Sequence, residues 1–375
     1  MQKRFDFSKK YAVALGGGGA KGGYEVGVWK AFSEEGFKYS AVSGTSVGAL
    51  NGALMCMHTL DAGVDLWRNI RYSQVMDVND DTMSRVFRRD IPTKEIRPLL
   101  RKVIGIVNSG GFDVTPLRNL MREYVDPEKI KRSDVDFYIV TYSISDKREV
   151  DVNVKELPEN EMCDMLLASA YFPAFKNEPL MGKRFADGGF SDSLPITPLI
   201  EHGAKDIIAI RISDFGREKK VRPPEGVNIE YIEPKRRLGN TLNFSSQQSR
   251  FNMDLGYYDA KRFIYGLDGS YYYIDRTLSE KQAYEILIRF INDYAKRTDP
   301  DISLRAIHEV VIPKLAREHG ASGDYYDILI HYLEHTGEAF GIPEFRIIKD
   351  VELADEVMKA VSQRGFFQPN ERRKA

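Results

Sequence analysis

Cysteine is scarce in this sequence. Cys56 and Cys163 stand alone among 375 residues, both in apolar surroundings. Buried thiols are expected there, and neither a disulfide framework nor a metal site is. Net charge is nearly absent as well: 54 basic residues against 55 acidic ones leave −1. That balance gives no bulk pull toward nucleic acid, and no nucleic-acid partner is expected. No apolar run approaches the roughly 18 residues needed to cross a bilayer. The basic N-terminal stretch, MQKRFDFSKKYAVALGGGG, has no long apolar segment ahead of its glycines, so no secretory signal is expected. These absences point to a cytoplasmic protein, with peripheral contact at a membrane left open. Histidine is limited to six positions. What is plentiful is ordinary globular material, 42% hydrophobic and 29% charged, enough for one large domain or two smaller ones.

The apolar pattern alternates strand with helix. Tyr11 to Leu15 reads as a buried strand that runs into glycines. A helix follows near Lys21 to Glu35, with Tyr24, Val28, Trp29 and Phe32 at helical spacing and Gly36 as its stop. A short strand, Ser40 to Ser43, then enters a second turn and a helix that reaches about Thr59. Strand, glycine turn and helix thus occur twice, which predicts an α/β fold with parallel strands. Further strands are expected at Asp136–Tyr142, Val150–Val154, Ile207–Ile212 and Asn228–Tyr231, and mostly helix from Ser279 to Arg364.

The two glycine turns carry the chemistry. Gly44-Thr45-Ser46-Val47-Gly48 has the spacing G-x-S-x-G, between a strand and a helix. In that context a sharp turn exposes a nucleophilic serine, and Gly44 and Gly48 leave room for it. The plain alternative is that Ser46 only caps the helix. The first turn, Gly16 to Gly23, also ends a strand and opens a helix, so its bare amides face an anion. Gly17-x-Gly19-x-x-Gly22 matches a dinucleotide fingerprint, but that reading needs an acid at the end of the second strand, which here reads Val42-Ser43-Gly44. A Walker loop needs Ser or Thr after its Gly-Lys, and glycine follows Lys21. The favoured reading makes the loop an oxyanion hole for Ser46, since both turns end neighbouring parallel strands.

Ser46 needs a base. His58 lies 12 residues along the same helix, about 18 Å away at 1.5 Å per residue. His202 sits at an expected helix end. His308, His319, His331 and His335 fall in the C-terminal helical region with nothing around them to suggest catalysis. Asp187, ahead of Gly188-Gly189, is the remaining candidate. Held within about 3 Å it can accept the proton, and burial would raise its weak basicity. It also reads as a turn aspartate bonding its own backbone. Sequence chemistry leaves both readings open.

Taken jointly, Gly17-Gly18-Gly19-Ala20-Lys21-Gly22, Gly44-Thr45-Ser46-Val47-Gly48 and Asp187-Gly188-Gly189 resemble the motifs of the patatin-like phospholipases, in order and context. Supporting stretches are FDVTPLRNLM from 112, ASAYFPAFKNEPL from 168 and DGGFSDSLPITPLIEHGAKDIIAI from 187. The resemblance implies a three-layer α/β fold, a mostly parallel central sheet flanked by helices, with a helical region at the C-terminus. It implies a Ser46–Asp187 dyad, oxyanion donors at Gly17, Gly18 and Gly19, a loop-shaping or anion-attracting Lys21, and no cofactor or metal. The substrate it implies is a phospholipid or other acyl ester. Residues 1–277 would form the acyl hydrolase domain, with its motifs within 10–212, and residues 278–375 a mostly helical extension. The alternative is a catalytically silent lipid- or protein-binding module on the same fold.

One segment stands apart. From Thr93 to Val107, Ile96, Leu99, Leu100, Val103, Ile104 and Val107 share a helical face, and Lys94, Arg97, Arg101 and Lys102 fall mostly elsewhere. A surface helix packed on the core and a membrane-facing flap both fit that pattern.

Overall fold

The computed structural model describes residues 3–88, 90, 105, 110–213 and 216–364. Apart from Gly105, the segment 93–107 lies outside the described residues. The chain forms two compact units: Phe5–Lys261, and Met1–Arg4 together with Arg262–Ala375.

The larger unit is built on a seven-stranded sheet in the order β4-β3-β2-β1-β6-β7, with β5 attached to β3. β1 (Lys10–Leu15), β2 (Lys38–Thr45), β3 (Asp136–Ser143), β6 (Asp206–Ile210) and β7 (Asn228–Ile232) are parallel to one another. β1, β3 and β6 are buried almost throughout, which is why they read as apolar runs rather than alternating ones. Two short strands break the parallel pattern. β4 (Arg148–Asn153) and β5 (Phe185–Ala186) both pair antiparallel with β3. The result is an α/β fold with a mostly parallel central sheet flanked by helices.

Strand order places the site. From β1 the chain steps one way through β2 and β3, then resumes on the other side with β6 and β7. The crevice beyond the carboxyl end of β1 is therefore bounded by the ends of β2 and β6, the position where open α/β sheets bind ligands.

A second relationship is set along one edge of β3. β4 covers the other edge, from Tyr138 to Ser143. β2 pairs along the near edge as far as Thr45↔Val140. Beyond it β5 takes the same edge in the opposite sense, Tyr142↔Ala186 and Ser143↔Phe185. β2 and β5 thus run head to head. The next residue after one is Ser46, and after the other Asp187.

Nine described α-helices start in this unit, the last running past its end. They are α1 (Gly23–Glu34), α2 (Val47–Cys56), α3 (Leu60–Asn69), α4 (Asp80–Phe87), α5 (Thr115–Tyr124), α6 (Pro127–Arg132), α7 (Glu159–Ser169), α8 (Thr197–Glu201) and α9 (Ser246–Tyr265). α2 lies against the sheet because its first turn is bare: a Cβ on Gly48 would sit 2.5 Å from the Leu15 carbonyl oxygen.

The smaller unit carries β8 (Tyr273–Asp275) parallel to β9 (Ile347–Lys349), with α10 (Glu280–Thr298), α11 (Ile312–His319), α12 (Tyr325–Phe340) and α13 (Asp350–Arg364). Ser279 and Gln282 form a reciprocal capping box that starts α10. Leu287, Phe290, Leu329, Leu333, Leu353 and Val357 share its core. Two buried carboxylates tie its loops: Glu334 accepts the amides of Ser270, Tyr271 and Tyr272, and Asp350 those of Thr277 and Leu278. No described helix in either unit is long and apolar enough to cross a membrane.

Candidate active site

Ser46 occupies the turn from β2 to α2 at φ 56°, ψ −120°, a conformation that side-chain-bearing residues seldom adopt. Such strain costs on the order of 1–3 kcal/mol and persists only where surroundings enforce it. Here they do. The Ser46 amide donates to Ser169 Oγ at 2.9 Å, and Ser169 Oγ donates in turn to the Val140 carbonyl at 2.6 Å. Thr45 Oγ1 donates to the Asp192 carbonyl at 2.9 Å. A Cβ on Gly44 would stand 2.2 Å from the Gly48 carbonyl oxygen, so the turn closes only with glycine.

The hydroxyl of Ser46 makes no capping bond to α2. It donates to Asp187 Oδ2 at 2.7 Å. The other carboxylate oxygen, Oδ1, accepts the Gly189 amide at 2.8 Å. One oxygen therefore makes the expected turn and the other faces the serine. Gly188 lets this turn press on β3, since a Cβ there would lie 2.2 Å from the Val140 oxygen. Both side chains are buried, and burial pushes the Asp187 carboxyl up to about 6 against the pull of its bonds to Ser46 and Gly189.

The glycine loop lies beside them. The Gly17 amide is committed to the Ser193 carbonyl at 2.8 Å. The amides of Gly18 and Gly19 have no acceptor among the described residues. Gly19 sits at φ 56°, and a Cβ on it would meet the Thr241 oxygen at 2.5 Å. Thr241 also accepts the Ala20 amide at 2.8 Å, fastening the loop from outside the motif. Lys21 is buried and does not line the cavity in front of Ser46. Gly22 packs on the Trp67 ring, 2.4 Å from where a Cβ would be.

Beneath the loop is a buried polar network that the motifs do not contain. Trp67 Nε1 donates to Asn51 Oδ1 at 2.9 Å, while Asn51 Nδ2 donates to the Gly22 carbonyl at 3.0 Å and to Glu25 Oε2 at 2.7 Å. Burial pushes the Glu25 carboxyl up to about 8, so it holds its proton at neutral pH. Ser169 and this network escaped sequence reasoning. Ser169 fell within a stretch that resembled the family, but nothing local marks a serine as the support of another residue's amide.

Each histidine is engaged elsewhere. His58 contacts Asp134 and Tyr39, and His202 packs on the Tyr138 ring with centroids 4.3 Å apart. His308 pairs with Tyr284, His319 with His335, and His331 with Asp327. Among the described residues no cluster of three or more His, Cys, Asp or Glu is placed to hold a metal.

The hydroxyl, the carboxylate and the loop open onto a cavity of about 360 Å³. Leu50, Trp67, Leu120, Met121, Phe175 and Phe244 make its walls largely apolar. An apolar chamber with one activated hydroxyl and two free amides suits acyl transfer from a substrate with a hydrocarbon chain.

The family model for patatin-like phospholipase matches residues 13–200. Patatin-like phospholipase domain-containing protein 7 of Rattus norvegicus is 25% identical over 203 residues, 54% of this chain and 13% of the relative. An uncharacterized NTE family protein of Mycobacterium tuberculosis is 22% identical over 234 residues, 62% of this chain and 57% of the relative. Lysophospholipase NTE1 of Mycosarcoma maydis is 22% identical over 203 residues, 54% of this chain and 10% of the relative. The chain spans less than two thirds of the length of each.

Proposed function

We propose that this chain, which belongs to the patatin-like phospholipase family, is a lipid acyl hydrolase that cleaves carboxylic esters through Ser46 and Asp187. The observation that carries the reading is the 2.7 Å hydrogen bond from Ser46 Oγ to Asp187 Oδ2 at the wall of an apolar cavity. Asp187 takes the serine proton as Oγ attacks the ester carbonyl. The amides of Gly18 and Gly19, with the positive end of α2, receive the charge that develops on the carbonyl oxygen. Protonated Asp187 then gives its proton to the departing alkoxide, leaving an acyl-enzyme. Water, deprotonated by the same carboxylate, releases the fatty acid.

A carboxyl held near 6 is ionised at neutral pH and a stronger base than an ordinary aspartate. No imidazolium is at hand to protonate a poor amine leaving group, which favours esters over peptides. The name of the Mycosarcoma maydis relative makes a monoacyl phospholipid the first substrate to try. The basic, amphipathic segment 93–107 completes the proposal as a peripheral contact with anionic membrane.

The test is hydrolysis of palmitoyl lysophosphatidylcholine by wild-type protein, Ser46→Ala and Asp187→Asn. Both variants should lose ester cleavage while still unfolding cooperatively and no less stably than wild type, and a fluorophosphonate should label Ser46 in the wild type alone. Lipid binding without cleavage or labelling would identify the silent module instead. A single histidine whose replacement abolished turnover would also overturn the dyad.

A further inference from the structure

The larger unit holds a second cavity, of about 480 Å³, whose chemistry is opposite to that of the first. Two arginines, Arg88 and Arg237, are among its lining residues, with Ser84, Ser245, Phe87 and Phe251. Both arginines are exposed, and neither has an ion-pair partner among the described residues. No described lining residue is Asp or Glu. The nearby Asp80 carboxylate is already bound by the amide and hydroxyl of Ser73, at 2.9 and 2.7 Å. Unpaired guanidinium groups around an acid-free hollow attract an anion. The Ser245 hydroxyl is engaged with Tyr72 and the Gln248 amide, but two guanidinium forks with the Ser84 hydroxyl still supply more donors than one carboxylate accepts and match a phosphate group, with three or four oxygens to offer.

The wall between the two cavities is one loop. Its residues Asn240, Thr241, Leu242 and Phe244 face the apolar cavity, while Gly239, Asn243 and Ser245 face the polar one. The loop is fastened on the polar side, where Tyr72 donates to Asn243 Oδ1 at 2.5 Å and Asn252 Nδ2 donates to the Leu238 carbonyl at 3.0 Å. On the apolar side Thr241 accepts the Ala20 amide, next to the free amides of Gly18 and Gly19.

We propose that the polar cavity is a binding site for a phosphate-bearing ligand, and that its occupation steadies the 239–245 loop against the glycine loop beside Ser46. The phosphate belongs either to a lipid headgroup or to a soluble phosphate ester. Binding itself does not rest on the hydrolase reading; the effect on turnover does.

Two probes separate the sources: sn-glycerol 3-phosphate in solution at constant ionic strength, and phosphatidylcholine vesicles with or without phosphatidic acid. Wild-type protein should bind at least one probe saturably. Arg88→Gln with Arg237→Gln should weaken that binding at least about tenfold, because two charge-assisted contacts are lost. Basal turnover of p-nitrophenyl butyrate should be unchanged in the double variant, and only the wild type should accelerate when the probe is added. Ser46→Ala should bind the probe as tightly as wild type, which keeps this test independent of hydrolysis. Absence of saturable binding to both probes, or equal binding by the double variant, overturns the site. So does loss of binding in Ser46→Ala, which would put the phosphate in the first cavity. Binding that leaves wild-type turnover unchanged overturns the link through the loop.

Discussion

Ser169 stands between Ser46 and β3, accepting the Ser46 amide at 2.9 Å and donating to the Val140 carbonyl at 2.6 Å. One hydroxyl thus holds the strained turn onto the strand that Asp187 also abuts. Ser169→Ala leaves two buried main-chain groups unpaired, at about 1–3 kcal/mol each. The melting temperature should fall, and kcat should fall with little change in KM, because the nucleophile is misaimed rather than the cavity altered. Wild-type kcat in this variant would show that the hydroxyl does not position Ser46.

In the proposed mechanism, burial of Asp187 sets the acid limb of activity. Only the ionised carboxylate accepts the serine proton, and its value is pushed up to about 6. The log of kcat/KM should rise with pH to a plateau above that point. The limb should be unmoved by replacing any one of the six histidines, which a pH–rate series on the single variants would check.

The same burial has a cost in stability. Between its ordinary 3.8 and about 6, native Asp187 holds a proton that the unfolded chain has lost. Stability therefore falls as pH rises through that window and stays lower above it. Asp187→Asn removes the penalty, so the inactive variant should be more stable than wild type at pH 7.5, by about 3 kcal/mol. The difference should vanish below pH 4. Asp192, buried and also pushed up to about 6, retains its own share of the slope. Denaturant melts at the two pH values decide the matter.

Glu25 extends the slope upward. Its carboxyl moves from 4.5 to about 8, again by burial, so native protein keeps this proton across that range. Stability should decline as pH rises from 6 to 8, above the window of the two aspartates. Glu25→Gln should flatten the decline while leaving the Asn51 amide an acceptor. A decline of unchanged slope would show that another group holds the proton.

Gly19 tests the oxyanion assignment. An alanine there must adopt φ 56° and place its Cβ 2.5 Å from the Thr241 oxygen, so the loop has to shift. Displacing one donor should slow turnover about 10²–10³-fold. Trp67, packed under the loop, would report by its fluorescence whether the fold persists.

The motifs were legible because each makes a local backbone demand that glycine meets: a collision at Gly44, Gly48 or Gly188, a positive φ at Gly19. The strands were legible where burial on both faces wrote a continuous apolar run, as in β1 and β3. β5 left no such trace. Two residues are too few for any periodicity, yet this strand aims Asp187. The oxyanion donors were read as three amides, and the commitment of Gly17 to Ser193 rests on a contact between distant segments.

The sequence by itself determined where the chain must turn sharply, where it must be extended, and which side chains carry reactive groups, because these depend on near neighbours and on steric limits within a few bonds. Only the tertiary structure decided that a hydroxyl and a carboxyl 141 positions apart share a proton-transfer distance. It also decided that Asp187 is a stronger base than its composition suggests. The reason is that pairing and basicity are set by which strand takes which edge of β3, and by how completely water is excluded there. Both are properties of the assembled sheet.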